Sequence, residues 1–209
     1  MESTVWDQIY KDYQKGGQAW ATLEGGLEPH FKDFIEKTVF PKKAAFDIGY
    51  GTGQYLQYLK LKGFSVAGID SSPTAHEMAA KALSKDDLVV GNMYDYEIPK
   101  DKFDLILSIS TIHHGTKAQV SKILDEIHEV LINRGYAYIT LPINDSSNQW
   151  MTFKDKDEIE PGTYAPNSGP EKGLPHSFYT KDEVEVLFKD YKNHAVDSVN
   201  GRWHITAQK

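Results

Sequence analysis

Cysteine is absent from the 209 residues, which removes disulfides, thiolate metal sites and cysteine nucleophiles from consideration. No apolar run is long enough to cross a bilayer. The first residues show neither a basic region followed by a hydrophobic one nor a cleavage signal, so the expectation is a soluble, cytoplasmic protein without a membrane partner. An excess of positive charge is also missing: 23 basic side chains face 30 acidic ones, a formal net charge of −7. That balance argues against a nucleic-acid or anionic-membrane surface. Internal repeats and low-complexity tracts are lacking too, so nothing suggests a solenoid or a disordered tail. A chain of this length is most simply one domain with its own core.

What is present is organised around residues 44–53, where a short apolar run ends in Asp47 and leads through Gly49, Gly51 and Gly53 into a helical pattern over 54–61. Glycines let the backbone turn tightly against a ligand, and the free N–H groups of the following helix face the same spot. A dinucleotide fingerprint would place glycines at 49, 51 and 54, but position 54 is Gln. A Walker loop fails as well, because no Lys followed by Ser or Thr closes the run. A second apolar run, 64–69, closes with Asp70. An acid at the tip of a second parallel strand can accept hydrogen bonds from both hydroxyls of a ribose. Asp47, inside the loop, would repel a phosphate and attract a cationic centre. Two acids with no phosphate-reading base suit an adenosine that carries a positive group.

These residues resemble the first motif of the class I S-adenosylmethionine-dependent methyltransferases, acid-x-Gly-x-Gly-x-Gly, in Asp47, Gly49, Gly51 and Gly53, with Asp70 as their ribose-binding acid. Tyr50 departs from the Cys of many relatives at a permissive position. The resemblance implies a Rossmann-like α/β fold: a seven-stranded, mostly parallel sheet of order 3-2-1-4-5-7-6, its last strand antiparallel, with helices on both faces. It implies S-adenosyl-L-methionine as cofactor. Asn92 is placed in the role of the residue that bonds the adenine amino group and Met93 in that of the residue packing on the ring, with Ser71 and backbone near Ser110 completing the cofactor set.

Trp6, Ile9, Tyr10 and Tyr13 recur at helical spacing. This stripe either docks a short helix on the main domain or forms a lid, in which case Tyr10 and Trp20 contact substrate. Leu27 to Val39 give a second amphipathic helix. Residues 1–40 are therefore expected as an N-terminal helical lid and first helix, and 41–209 as the core. Ser71-Ser72-Pro73, Thr116 with Gln119, and Thr180 with Glu183 are helix-start signals. Asn200-Gly201 predicts a hairpin between the last two strands. Residues 143–177, with four prolines and several glycines, read as an irregular insertion on the substrate side or as a structural clasp. The turn His113-His114-Gly115 and the run Gly173-Leu174-Pro175-His176-Ser177-Phe178 resemble a subfamily of small bacterial and archaeal methyltransferases.

His113 and His114 follow the fourth strand, where open α/β sheets bind ligands. Either ties down its loop or acts as the base that deprotonates a nucleophile, since imidazole titrates near neutrality. His176 joins Tyr10 and Trp20 as a substrate contact. No metal is assigned, because neighbouring histidines lack i,i+4 geometry and His176 and an acid would have to converge on them from afar. The expected activity is methyl transfer to an O, N or S nucleophile of a small molecule by a monomer or homodimer. The alternatives are a catalytically inactive regulatory protein that binds the cofactor and a protein methyltransferase.

Overall fold

A computed structural model describes residues 4–17, 26–145 and 155–209; the candidate substrate contact Trp20 lies outside them. β1 (Ala44–Ile48) is buried at every position, as a strand covered on both faces must be. β2 (Ser65–Asp70), β3 (Leu88–Val90), β4 (Leu105–Ser108) and β5 (Tyr136–Pro142) complete the parallel part of the sheet. Next come β6 (Lys156–Glu160), β7 (Thr163–Pro166) and β8 (His176–Ser177), a separate three-stranded sheet. β9 (Asn193–Val199) and β10 (Arg202–Gln208) return to the main sheet, whose order is β3-β2-β1-β4-β5-β10-β9. Among the described strands of this sheet β10 alone points opposite to the rest, pairing Trp203 with Leu141 on one side and with Ser198 on the other. Counted within this sheet, the order is the expected 3-2-1-4-5-7-6.

Side-chain alternation sends Phe46 and Ile48 to one face and Ala45 to the other. On the first face, α5 (Lys117–Val130) contributes Val120, Ile123, Leu124 and Ile127, and α6 (Lys181–Leu187) contributes Val184. On the second, α2 (Pro29–Lys37) buries Phe31 and Ile35, and α3 (Gln54–Leu61) buries Leu56 and Leu59. α4 (Pro73–Ala79) follows β2, and α1 (Val5–Tyr13) packs against α4. Among the described residues no helix is long and apolar enough to cross a membrane.

The insertion differs from its expected irregularity. Lys156-Asp157-Glu158-Ile159-Glu160 is a strand although four of its five residues are charged, a composition that strands disfavour. It is held by β7, which supplies the hydrogen-bonding edge, while its own side chains stay mostly at the surface. β8 in turn ties the insertion to the core: Ser177 N–H donates to the His113 carbonyl at 2.9 Å, and Ser177 Oγ donates to the Gly115 carbonyl at 2.7 Å.

Candidate functional site

The loop after β1 has Gly49, Gly51 and Gly53 all in the left-handed region. Space matters as much as φ. A Cβ on Gly49 would overlap the Thr111 side chain, and one on Gly51 would sit 2.5 Å from the Tyr10 hydroxyl. The loop is fixed from below, where Gly49 N–H donates to Ile69 O at 2.7 Å and the Tyr50 hydroxyl donates to Val89 O at 3.2 Å. Tyr50 thereby pins the turn to the end of β3, a role that its position in the motif did not suggest.

Asp70 ends β2 with both oxygens engaged: Oδ2 accepts from Gly51 N–H at 2.8 Å and Oδ1 from Ser72 N–H at 2.9 Å. Burial pushes its carboxyl up to about 6, against the opposing pull of the Ser72, Gly51 and Ser71 backbone N–H groups. Asp47 is 2% exposed, and burial, together with the charge of Asp70, pushes its carboxyl well above the usual range. Among the described residues neither acid is paired with a basic side chain. The pair therefore makes a buried negative field that a cationic ligand would relieve.

Asp70 lies in the wall of a cavity of about 860 Å³, within the range of small-molecule and cofactor sites. Gly49, Ser71, Asn92, Met93 and Ser110 share that wall. Asp47, Gly51 and Gly53 stand behind it, shaping the loop. Asn92 spends its amide locally, accepting from Tyr94 N–H at 3.1 Å and donating to Asp95 at 3.0 Å. Ser110 adopts φ 58, and its N–H donates to Thr140 Oγ1 at 2.8 Å, so the chain after β4 is bent on purpose toward the cavity.

That bend delivers the histidines. His114 Nδ1 lies 2.9 Å from Thr111 O; since a carbonyl only accepts, Nδ1 carries the hydrogen and Nε2 keeps the lone pair. Burial, then the neighbouring His176, holds His114 well below its ordinary pKa, although the Thr111 bond opposes this. His113 is 3% exposed, and its Nδ1 has no hydrogen-bond partner among the described residues. Burial, reinforced by His114, Arg202 and His176, lowers its pKa as well. His176 arrives from β8, its ring 4.8 Å from that of His114. Its Nδ1 is 2.8 Å from Leu174 O and its Nε2 is 2.8 Å from Glu171 Oε2. His114, Glu171 and His176 thus each place one ligand atom within 4.8 Å of the others. The convergence that sequence separation made improbable is present.

α1 closes the remaining side. Trp6 meets the His114 ring edge-on at 4.6 Å, and Tyr10 lies over Gly51 with its phenol pushed up by burial and by the charges of Asp70 and Asp47. Asp7 holds the helix in place: its carboxylate accepts from Ser72 Oγ at 3.0 Å and Thr74 N–H at 2.9 Å and pairs with Lys11 at 2.7 Å. Tyr10, His113, His114 and His176 all line the cavity. Trp6, seen only as part of the N-terminal stripe, and Glu171, Thr111 and Asp7 were not among the expected site residues. A Trp one turn before Tyr10 was a signal for the first; for Glu171, 57 residues beyond His114 in the numbering, the sequence offered none.

Residues 46–139 match the family model described as a methyltransferase domain. An uncharacterized methyltransferase of Synechocystis sp. is 32% identical over 133 residues, 63% of this chain and 62% of its own length. One from Oceanobacillus iheyensis is 26% identical over 62% of this chain and 60% of its own. The chain thus matches about three fifths of the length of these relatives. Among solved structures, an S-adenosylmethionine-dependent methyltransferase of Methanosarcina mazei superposes with a TM-score of 0.66 at 21% identity, covering 88% of this chain and 98% of the other. A Thermotoga maritima protein described as a methyltransferase and possible histamine N-methyltransferase gives 0.69 at 15% identity, covering 98% of each. These two likenesses establish the shared fold.

Proposed function

We propose that this chain, whose residues 46–139 match a methyltransferase-domain model and which is 32% identical over 133 residues to an uncharacterized methyltransferase of Synechocystis sp., is a class I S-adenosylmethionine-dependent methyltransferase, and that it methylates a small molecule at an oxygen, nitrogen or sulfur atom. Its cofactor is S-adenosyl-L-methionine. The observation that carries the reading is a single cavity whose wall holds both the Asp70 carboxylate beside the glycine turn and the His113–His114–His176 cluster. The residues fit the cofactor. The glycine turn brings bare backbone to the cavity wall at Gly49, Asp70 offers a buried acceptor for ribose hydroxyls, and the unpaired field of Asp47 and Asp70 favours a positive group.

When bound, the cofactor supplies an activated methyl group: a lone pair of the acceptor forms the new bond to carbon while the carbon–sulfur bond breaks, its electrons passing to sulfur to leave a neutral thioether. The chain's residues do the rest. Gly49, Ser71, Asn92, Met93 and Ser110 bound the nucleoside, and Asp47 acts through the field behind the loop. Tyr10 and Trp6 from α1 exclude water from the reacting centre. His114, with Nδ1 locked on Thr111 O, offers its Nε2 lone pair to the acceptor's proton, and His113 supports it from the buried side. His176 contacts the acceptor from the insertion. Holding the partners in line is the larger part of the task, because the methyl group needs no further activation. We place the chain with the small bacterial and archaeal relatives that carry the His-His-Gly and Gly-Leu-Pro-His-x-Phe segments, acting in the cytoplasm.

The test is incubation of metabolite extract with methyl-labelled S-adenosylmethionine, followed by mass spectrometry, beside Asp70→Ala and His114→Ala variants. A labelled metabolite with the unmutated protein, lost in Asp70→Ala, supports the reading. Cofactor binding without label in any extract would leave a regulatory binding protein instead.

A further inference from the structure

His114, Glu171 and His176 come from two separated parts of the chain: the turn after β4 supplies the first, and the end of the insertion supplies the other two. One ligand atom from each falls within 4.8 Å of the others. Donors about 2.1 Å from a shared ion stand roughly 3.3 to 4.2 Å apart, so a side-chain adjustment of well under an ångström per residue closes the set.

The hydrogen-bond chemistry points to what belongs between them. His176 Nδ1 must carry its hydrogen, because its partner at 2.8 Å is the Leu174 carbonyl. In the neutral ring Nε2 is then a bare lone pair, yet it lies 2.8 Å from a carboxylate oxygen of Glu171. Two acceptors at that distance repel unless positive charge joins them. A proton would join His176 to Glu171 and make an ion pair. It would give no part in the cluster to His114, which is held in the same way, with Nδ1 on the Thr111 carbonyl at 2.9 Å and Nε2 as its remaining lone pair. Locking the far nitrogen on a carbonyl is how proteins fix the tautomer of a metal-ligating histidine. Three potential donors gathered within 4.8 Å of one another, the two histidines among them each with Nδ1 held on a carbonyl and both His176 and Glu171 buried, suit a metal ion better than one proton.

We propose that His114, His176 and Glu171 form a binding site for a divalent transition-metal ion of the zinc type, with an open coordination position toward the cavity. Two histidines and one glutamate with a fourth position free is a ligand set of catalytic zinc. Its place in the cavity wall assigns that position to the methyl acceptor, and so narrows the acceptor to a hydroxyl or thiol. This rests on the methyltransfer reading for the site's purpose and alters how the acceptor's proton is handled. The lone pair of His114 goes to the ion rather than to the proton. Coordination acidifies the acceptor's O–H or S–H, the proton passes to solvent water, and the resulting lone pair takes the methyl group. The ion changes neither oxidation state nor charge. Arg202 and Glu28 also line this cavity, and Arg202 feels the charges of both Glu28 and Glu171; they set the charge the acceptor meets.

The experiment uses the full chain, stripped with chelator and dialysed. Zinc content after reloading is measured by elemental analysis, and cobalt(II) is added as a spectroscopic probe. The expected result is one zinc per chain and visible cobalt bands of a low-coordinate histidine and carboxylate site. Glu171→Gln and His176→Gln should each weaken zinc binding by about tenfold or more, whereas His194→Gln, at the surface pair with Glu185, should leave it unchanged. Binding of S-adenosylhomocysteine by calorimetry reports whether each variant retains a folded cofactor site. Substoichiometric zinc, or binding that none of the site variants weakens, overturns the metal site. If either occurs with cofactor binding and methyl transfer intact, the metal inference alone falls. Zinc at one per chain with no cofactor affinity would instead bring down the methyltransfer reading.

Discussion

At the scale of single residues, the two buried acids carry the sharpest consequence. Asp70 gains an energetic conflict on folding: burial opposes its charge, while three backbone N–H groups favour it, and the balance leaves the carboxyl near 6. A carboxyl raised in the folded state makes its ionisation a cost, so this group's contribution to stability falls as pH rises from 3.8 through about 6. Cofactor binding should run the other way, because in the proposed binding mode the ionised form would be the one to accept two ribose hydroxyls. Affinity for S-adenosylhomocysteine is expected to fall about tenfold between pH 7 and pH 5, a range where an ordinary aspartate is already ionised. Calorimetric titration across that range checks it, and a flat profile would remove Asp70 from the binding contact. The acid, its glycine neighbours and their spacing were legible because each is a local constraint on backbone or charge. Glu171 was not, since nothing in the local pattern marks a loop acid whose partners sit on another part of the chain.

Elements show the same division. Both capping boxes lie where Thr-x-x-Gln and Thr-x-x-Glu placed them: Thr116 accepts from Gln119 N–H, and Thr180 accepts from Glu183 N–H at 3.3 Å, while Glu183 reaches back to Thr180 N–H at 2.8 Å. A cap is written in adjacent residues, so sequence alone suffices. β6 is the counterexample, because its charged residues become a strand through pairing with β7, a contact that no short window contains. Glu183 also binds Lys117 at the start of α5, which joins α6 to the helix that follows the histidine turn. Thr180→Ala should therefore cost about 1 kcal/mol, read as a lower urea midpoint with unchanged slope. Cofactor affinity should stay unchanged, because neither Thr180 nor Glu183 lines the cavity.

For the whole molecule, the site is a closure between three parts: the ends of the parallel strands, the insertion anchored through β8, and α1 laid across the opening. The strand order was legible because parallel strands, glycine turn and final hairpin each leave a pattern in sequence; the closure was not, because it depends on which distant surfaces meet. α1 has nine residues, too few to persist as a helix in water without tertiary contacts. Asp7 supplies the polar part of that contact. Burial alone would raise its carboxyl, but Lys11 and the bonds from Thr74 and Ser72 outweigh it and hold it well below the ordinary value. This stabilisation is in force above pH 3.8 and is lost only as pH falls through the lowered value, so the docking is complete at neutrality. Asp7→Ala leaves the Thr74 N–H and Ser72 hydroxyl without their acceptor and Lys11 without its pair. Local opening of α1 should then become easier by about 1 to 3 kcal/mol, seen as hydrogen exchange at least about fivefold faster over residues 5–13 with β1 and β5 unchanged. Because Tyr10 travels with the helix, KM for S-adenosylmethionine should rise while Tm moves little. A global loss of Tm with uniform exchange would mean that α1 is part of the cooperative core, and that the cavity opens by some other route.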